Sequence, residues 1–151
     1  MDMDWGKESQ RSVLYPEATY KVRIDTIEKL QASTGTWQYR WKARILEPRE
    51  LEGKQITDHT ALTEKSLWKL AWLVSACGVE VNKLPKMSVD SPLFHQVVKS
   101  CEGRTVYWHV TIGLNNRGEE RNQIDDYKKD EEQSPFEFVS NDELPEFLKE
   151  E

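Results

Sequence analysis

The sequence predicts an all-β domain with one or two helices, its five strands wrapped into a small barrel. Three observations predict it. Apolar and polar residues alternate with a period of two in several separate stretches. One strong amphipathic helical stretch falls between the third and fourth of these strands. Glycine, asparagine and proline punctuate the gaps.

Residues 1–12 are polar and aperiodic and read as a flexible N-terminal arm. Val13-Leu14-Tyr15-Pro16 leads into the first strand, where Tyr20, Val22 and Ile24 alternate with Lys21, Arg23 and Asp25. Ala32-Ser33-Thr34-Gly35-Thr36 is a turn signal. The second strand, about Trp37 to Leu46, has the clearest alternation in the chain. Trp37, Tyr39, Trp41, Ala43 and Ile45 fall on one face and Gln38, Arg40, Lys42 and Arg44 on the other. Glu47-Pro48-Arg49-Glu50 breaks it, and a third strand runs near Lys54 to Leu62.

Thr63 is the expected N-cap of a helix whose Leu67, Leu70, Ala71, Val74 and Cys77 share one face, with Gly78 as its stop. Trp68 and Trp72, four apart on a neighbouring stripe, read as packing residues. A linker follows, then a short second helix over Leu93 to Ser100. The fourth strand spans Arg104 to Ile112, Gly113 to Gly118 is a hairpin connection, and the fifth strand covers about Glu120 to Lys128. The order β-β-β-α-β-β, with the helix before strand four, is the layout of an oligonucleotide-binding (OB) barrel. A five-stranded SH3-like barrel is the competing architecture, and the long amphipathic insertion favours the OB reading. Residues 13–128 form the domain, and residues 129–151 an acidic tail.

With 151 residues the chain has one domain's length. Its net charge of −6 argues at first against a nucleic-acid partner. The charge is unevenly distributed, however. Residues 129–151 carry a net −7, which leaves +1 on the rest, and a near-neutral body can still sort its cations onto one face. No secretory leader opens the chain and no apolar run is long enough to span a membrane. A cytoplasmic setting is therefore expected, or the host cytoplasm for a phage protein, with Cys77 and Cys101 as free thiols.

If the apolar face of the second strand fills the barrel, Arg40, Lys42 and Arg44 project together outside it. Alternate strand positions repeat at roughly 6.5–7 Å, close to the phosphate spacing of an extended single strand. Trp37 and Tyr39, at the strand's rim, are candidate base-stacking residues, as is Tyr107 beside His109 on the outer face of the fourth strand. Arg117 and Arg121, in and after the last hairpin, are candidate phosphate contacts. The tail interleaves Asp142 and Glu143 with Leu144, Phe147 and Leu148, a pattern suited to docking on a partner protein.

Enzyme readings are weak. His59, His95, His109, Cys77 and Cys101 show no zinc-ligand spacing, and the adjacent Asp125-Asp126 would point to opposite faces of a strand. There is no phosphate-binding glycine loop and no nucleophile with a base, so neither catalysis nor a cofactor is expected.

Several short segments also resemble a family. Pro16-Glu17-Ala18-Thr19-Tyr20-Lys21-Val22-Arg23-Ile24 looks like a P-x-G-x-Y-x-V-x-I opening, with Ala18 where the family has glycine. Leu62 to Leu70 resembles its helix start, Leu73 to Gly78 its helix end, Gly103-Arg104 its turn before strand four, and Asn122 to Tyr127 its terminal strand. The family is that of bacteriophage single-stranded-DNA-binding proteins with an OB-like fold, often described only as a domain of unknown function. The resemblance implies DNA protection during replication or recombination, without catalysis. Asp142 to Phe147 also resembles the acidic, partner-recruiting tip of bacterial single-stranded-DNA-binding proteins, although this chain continues past Phe147.

The expected function is sequence-tolerant binding of single-stranded DNA, with the tail recruiting replication or recombination proteins. Self-association is left open by the sequence. A protein-interaction adaptor on the same barrel, such as a recombination mediator or a host-directed inhibitor, is the main alternative. An RNA-binding barrel is a third.

Overall fold

The computed structural model describes residues 2, 3, 5 and 14–136. It contains five strands: β1 (Ala18–Gln31), β2 (Trp37–Glu47), β3 (Gln55–Ala61), β4 (Thr105–Leu114) and β5 (Glu120–Lys129). Two helices, α1 (Leu67–Ala76) and α2 (Pro92–Lys99), lie between β3 and β4. All strand pairs are antiparallel, in the order β3-β2-β1-β4-β5, so β1 is central and β3 and β5 are the edges.

The expectation of a closed barrel is corrected here. Among the described residues β3 and β5 share no backbone ladder, and the sheet is open between them. Side chains bridge the gap instead: the Tyr127 hydroxyl on β5 donates to Asp58 Oδ2 on β3, and both residues are buried. Helix α1 lies against both edge strands, setting Trp72 edge-on to Tyr127 with ring centroids 4.9 Å apart.

The alternation of β2 folds as its pattern demands. Tyr39, Trp41, Ala43 and Ile45 are fully buried, and Trp41 Nε1 donates to Thr60 Oγ1 on β3 at 2.9 Å. Val106, Trp108 and Val110 of β4 complete the same core with Leu70, Leu73 and Val74 of α1. Strand β1 is longer than its alternation suggested. A register shift between Ile24 and Thr26 inserts one extra residue, so the buried positions change phase from Val22 and Ile24 to Ile27. A further shift, between His109 and Val110, places an extra residue in β5 at Asp125.

Ser66, not Thr63, precedes the first turn of α1. The Thr63 carbonyl instead accepts from Ser66 N and Leu67 N, closing a turn ahead of the helix. Gly78 does end the helix, at φ +96, a conformation that side-chain-bearing residues rarely adopt. Ser91 caps α2 by accepting from Phe94 N at 3.2 Å, with Pro92 as the first helical residue.

The boundary expected at residue 129 falls inside β5, and residues 130–136 dock on the body. Asp130 is buried, accepts from Thr105 Oγ1 at 2.6 Å and lies 3.7 Å from Lys21 Nζ. The Gln133 side chain bonds Thr105 N and Cys77 O, and Phe136 pairs with Val79 in a parallel bridge. Cys77 and Cys101 are buried free thiols.

Candidate nucleic-acid interface

Arg40, Lys42 and Arg44 emerge on the outer face of β2, with side chains 35%, 34% and 58% exposed. Each meets a carboxylate from β1. Arg40 Nη2 reaches Glu28 Oε2 at 2.8 Å and Lys42 Nζ reaches Glu28 Oε1 at 3.2 Å. Arg44 Nε reaches Asp25 Oδ2 at 2.7 Å, while Arg23 Nε lies 3.5 Å from Asp25 Oδ1. Both carboxylates are thus shared between two cations, and the face retains net positive charge. Hydrogen bonds from Arg40 and then Lys42 hold the Glu28 carboxyl below its ordinary pKa. Arg40 Nε is buried without a hydrogen-bond partner.

The row continues across β3. Arg40 is in register with His59, whose ring is exposed at the sheet's edge. Partial burial lowers the His59 pKa, and the positive charges of Arg40, Arg121 and Lys69 lower it further against the opposing pull of Asp58. Lys69 Nζ lies 3.4 Å from Asp58 Oδ1 and donates to the His59 carbonyl at 3.3 Å. Arg121, from β5, and Lys69, from α1, therefore act on the same edge of β3 as the β2 cations. His59 and Lys69 were missed by the sequence reading, because only the fold brings β3, β5 and α1 together.

The expected aromatic platforms divide. Trp37 is 47% exposed, and Lys29 Nζ sits 5.6 Å from its ring centroid, an arrangement open to a further flat ligand. Tyr39 is corrected. It is fully buried, stacked on His95 at 5.8 Å, and its hydroxyl is hydrogen-bonded to His95 Nδ1 at 3.0 Å. Burial pushes its pKa up to about 12, and no base can reach its ring.

Tyr107 and His109 share the outer face of β4, where Tyr107 pairs across to Lys21 and Lys128. His109 Nδ1 contacts Asp125 Oδ1 at 2.6 Å, so only its other nitrogen is open to a phosphate. The bulge at Asp125 makes this contact, which strict alternation would not place. Arg117 and Arg121 are exposed in the β4–β5 hairpin and at the start of β5. Trp68 and Trp72, both read as packing residues, differ: Trp72 packs on Tyr127, whereas Trp68 is 64% exposed. Asp142, Glu143, Leu144, Phe147 and Leu148 lie outside the described residues.

Among the described residues, no three His, Cys, Asp or Glu side chains gather closely enough to hold a metal ion, and no helix is long and apolar enough to cross a membrane. The family model described as "Protein of unknown function (DUF669)" matches residues 2–135. No curated protein matches the chain.

Proposed function

The chain belongs to the DUF669 family, and we propose that it binds single-stranded DNA with little sequence preference and without a catalytic step. The observation that carries this reading is the outer face of β2, where Arg40, Lys42, Arg44 and the neighbouring Arg23 outnumber Asp25 and Glu28. A strand order with β1 central and helices between β3 and β4 supports an OB-type fold, whose ligand face is formed by the second and third strands.

Phosphates of an extended strand would displace the β1 carboxylates from the β2 cations. The shared carboxylates keep the empty face from bare like-charge repulsion, and release of counterions from the DNA drives the exchange. Trp37 would take a base at the rim of β2, and Arg117 and Arg121 would contact the backbone from the last hairpin. The resemblance of short segments such as Pro16–Ile24 and Asn122–Tyr127 to phage single-stranded-DNA-binding proteins supports a role in phage DNA replication or recombination, in the host cytoplasm, with residues beyond 136 recruiting other proteins.

The test is quenching of tryptophan fluorescence by poly-dT over a series of salt concentrations. Quenching with an affinity that falls steeply as salt rises is the expected result. The absence of binding at low salt would overturn the reading. One observation favours a second reading: each β2 cation already has a carboxylate partner. A protein-interaction adaptor on this fold would show no salt-sensitive binding to poly-dT and would recover a partner through the body alone.

A further inference from the structure

We infer that the exposed indole of Trp68 on α1 is a second base-stacking platform, reached by a single strand that leaves the β2 cations across the edge of β3. The inference rests on the proposed binding of single-stranded DNA and adds where a base is held.

Trp68 and Trp72 stack with ring centroids 5.9 Å apart and planes inclined by 22°. Trp72 is fixed in turn, edge-on to Tyr127 at 4.9 Å, and the Tyr127 hydroxyl is bound to Asp58. The outer indole is therefore presented by a rigid stack that continues into the core through Trp108, whose ring lies 6.4 Å from Tyr127. A pre-ordered ring loses little entropy when it takes a ligand. Trp68 is 64% exposed on a helix whose Leu70, Leu73 and Val74 are buried. Nothing in the packing of the core requires a tryptophan there.

The charge around this stack selects the occupant. Lys69, the next residue, extends to Asp58 and to the backbone of His59, and Arg40 and Arg121 bear on the same histidine. Arg40 of the β2 row, Arg121 and Lys69 thus gather around His59 between that row and the helix, with Glu28 paired to Arg40 and Asp58 to Lys69. A flat apolar ring next to a cationic track matches a nucleotide, which carries a flat base on an anionic backbone. An apolar peptide would gain nothing from the cations.

The test compares full-length wild type with Trp68→Ala and Trp68→Phe, using fluorescein-labelled oligo-dT and an abasic oligomer of the same length. Trp68→Ala should weaken oligo-dT binding roughly 5- to 150-fold, the range of one lost base stack. Its salt dependence should be unchanged, because no phosphate contact is removed. Trp68→Phe should recover part of the loss, and all three proteins should bind the abasic oligomer equally. Equal oligo-dT affinity of wild type and Trp68→Ala would overturn the inference and leave the proposed function standing. So would a change of oligomeric state in Trp68→Ala without a change in affinity, which would assign the ring to contact between copies. Failure of wild type to bind oligo-dT would overturn both.

Discussion

Tyr127 on β5 donates its hydroxyl hydrogen to Asp58 on β3, across the gap where, among the described residues, the two edge strands share no ladder. Asp58 also accepts from its neighbour's backbone, His59 N, at 2.9 Å and faces Lys69 Nζ at 3.4 Å. Removing the hydroxyl would leave a buried carboxylate short of a donor. Tyr127→Phe should therefore lower stability by about 1–3 kcal/mol, read as a lower midpoint in urea with little change in slope. An unchanged midpoint would mean that α1 alone holds the two edges together.

Alkaline pH tests the buried tyrosines. Tyr39 keeps its proton to about pH 12 because burial disfavours the phenolate, and Tyr127 is pushed upward by burial and by the Asp58 carboxylate. An unfolded tyrosine ionises near its ordinary value of about 10. Between these values the folded state holds protons that the unfolded state has lost. The stabilisation from each group is complete below about pH 10 and is lost as pH rises through the folded value. Thermal midpoints should fall above about pH 10, and less steeply in Tyr39→Phe. Identical slopes in the two proteins would rule out Tyr39 as a source of the effect.

Glu28 is the counterion shared by Arg40 and Lys42. If phosphates must displace it, Glu28→Gln should tighten binding to oligo-dT severalfold at low salt, with the advantage shrinking as salt screens the face. Arg40→Ala should act in the opposite direction and reduce the dependence of log K on log salt by about 0.7, the value for one phosphate contact on a single strand. Fluorescence anisotropy titrations at several salt concentrations measure both. Weaker binding by Glu28→Gln would show that the carboxylate orders the cations for the ligand and does not mask them.

Much of this architecture was legible locally. The alternation from Tyr39 to Ile45 gave β2 its buried and exposed faces, and Leu70, Val74 and Cys77 marked the buried side of α1, although Ala71 of the same set is exposed and Leu67 half-buried. Features that depend on an inserted residue or on distant partners were not legible. The bulge near Asp25 shifts the phase of β1, so Ile27 is buried although it is out of phase with Val22 and Ile24. Tyr39 and Trp37 share one face by periodicity, yet α2 brings His95 over Tyr39 and leaves Trp37 at the rim. The cations around His59 come from β2, β5 and α1, and no local spacing connects them. The acidity of residues 129–151 hid the docking of Asp130, Gln133 and Phe136, because composition registers charge and not the partners that neutralise it.

Where the chain is cut therefore decides what a truncation reports. Residues 130–136 strap β4 to the end of α1. Asp130 accepts from Thr105, Gln133 bonds both Thr105 and Cys77, and Arg104 donates to the carbonyls of Cys77 and Ser134 with its guanidinium 5.8 Å from the Phe136 ring centroid. The hydrogen bond from Thr105 is the leading cause of a lowered Asp130 pKa, so this carboxylate is charged and stabilising at neutral pH. A chain ending at residue 128 should lose these contacts and melt several degrees lower, since each bond to a charged or buried group contributes about 1–3 kcal/mol. A chain ending at residue 136 should melt like wild type. It also lacks most of the acidic charge, so it should bind oligo-dT as tightly as wild type or more tightly at low salt. Measuring melting and affinity on both truncations separates the strap from the acidic end. Loss of DNA binding by the chain ending at 136, with its melting unchanged, would place a DNA contact beyond residue 136 and refute the assignment of that segment to protein partners.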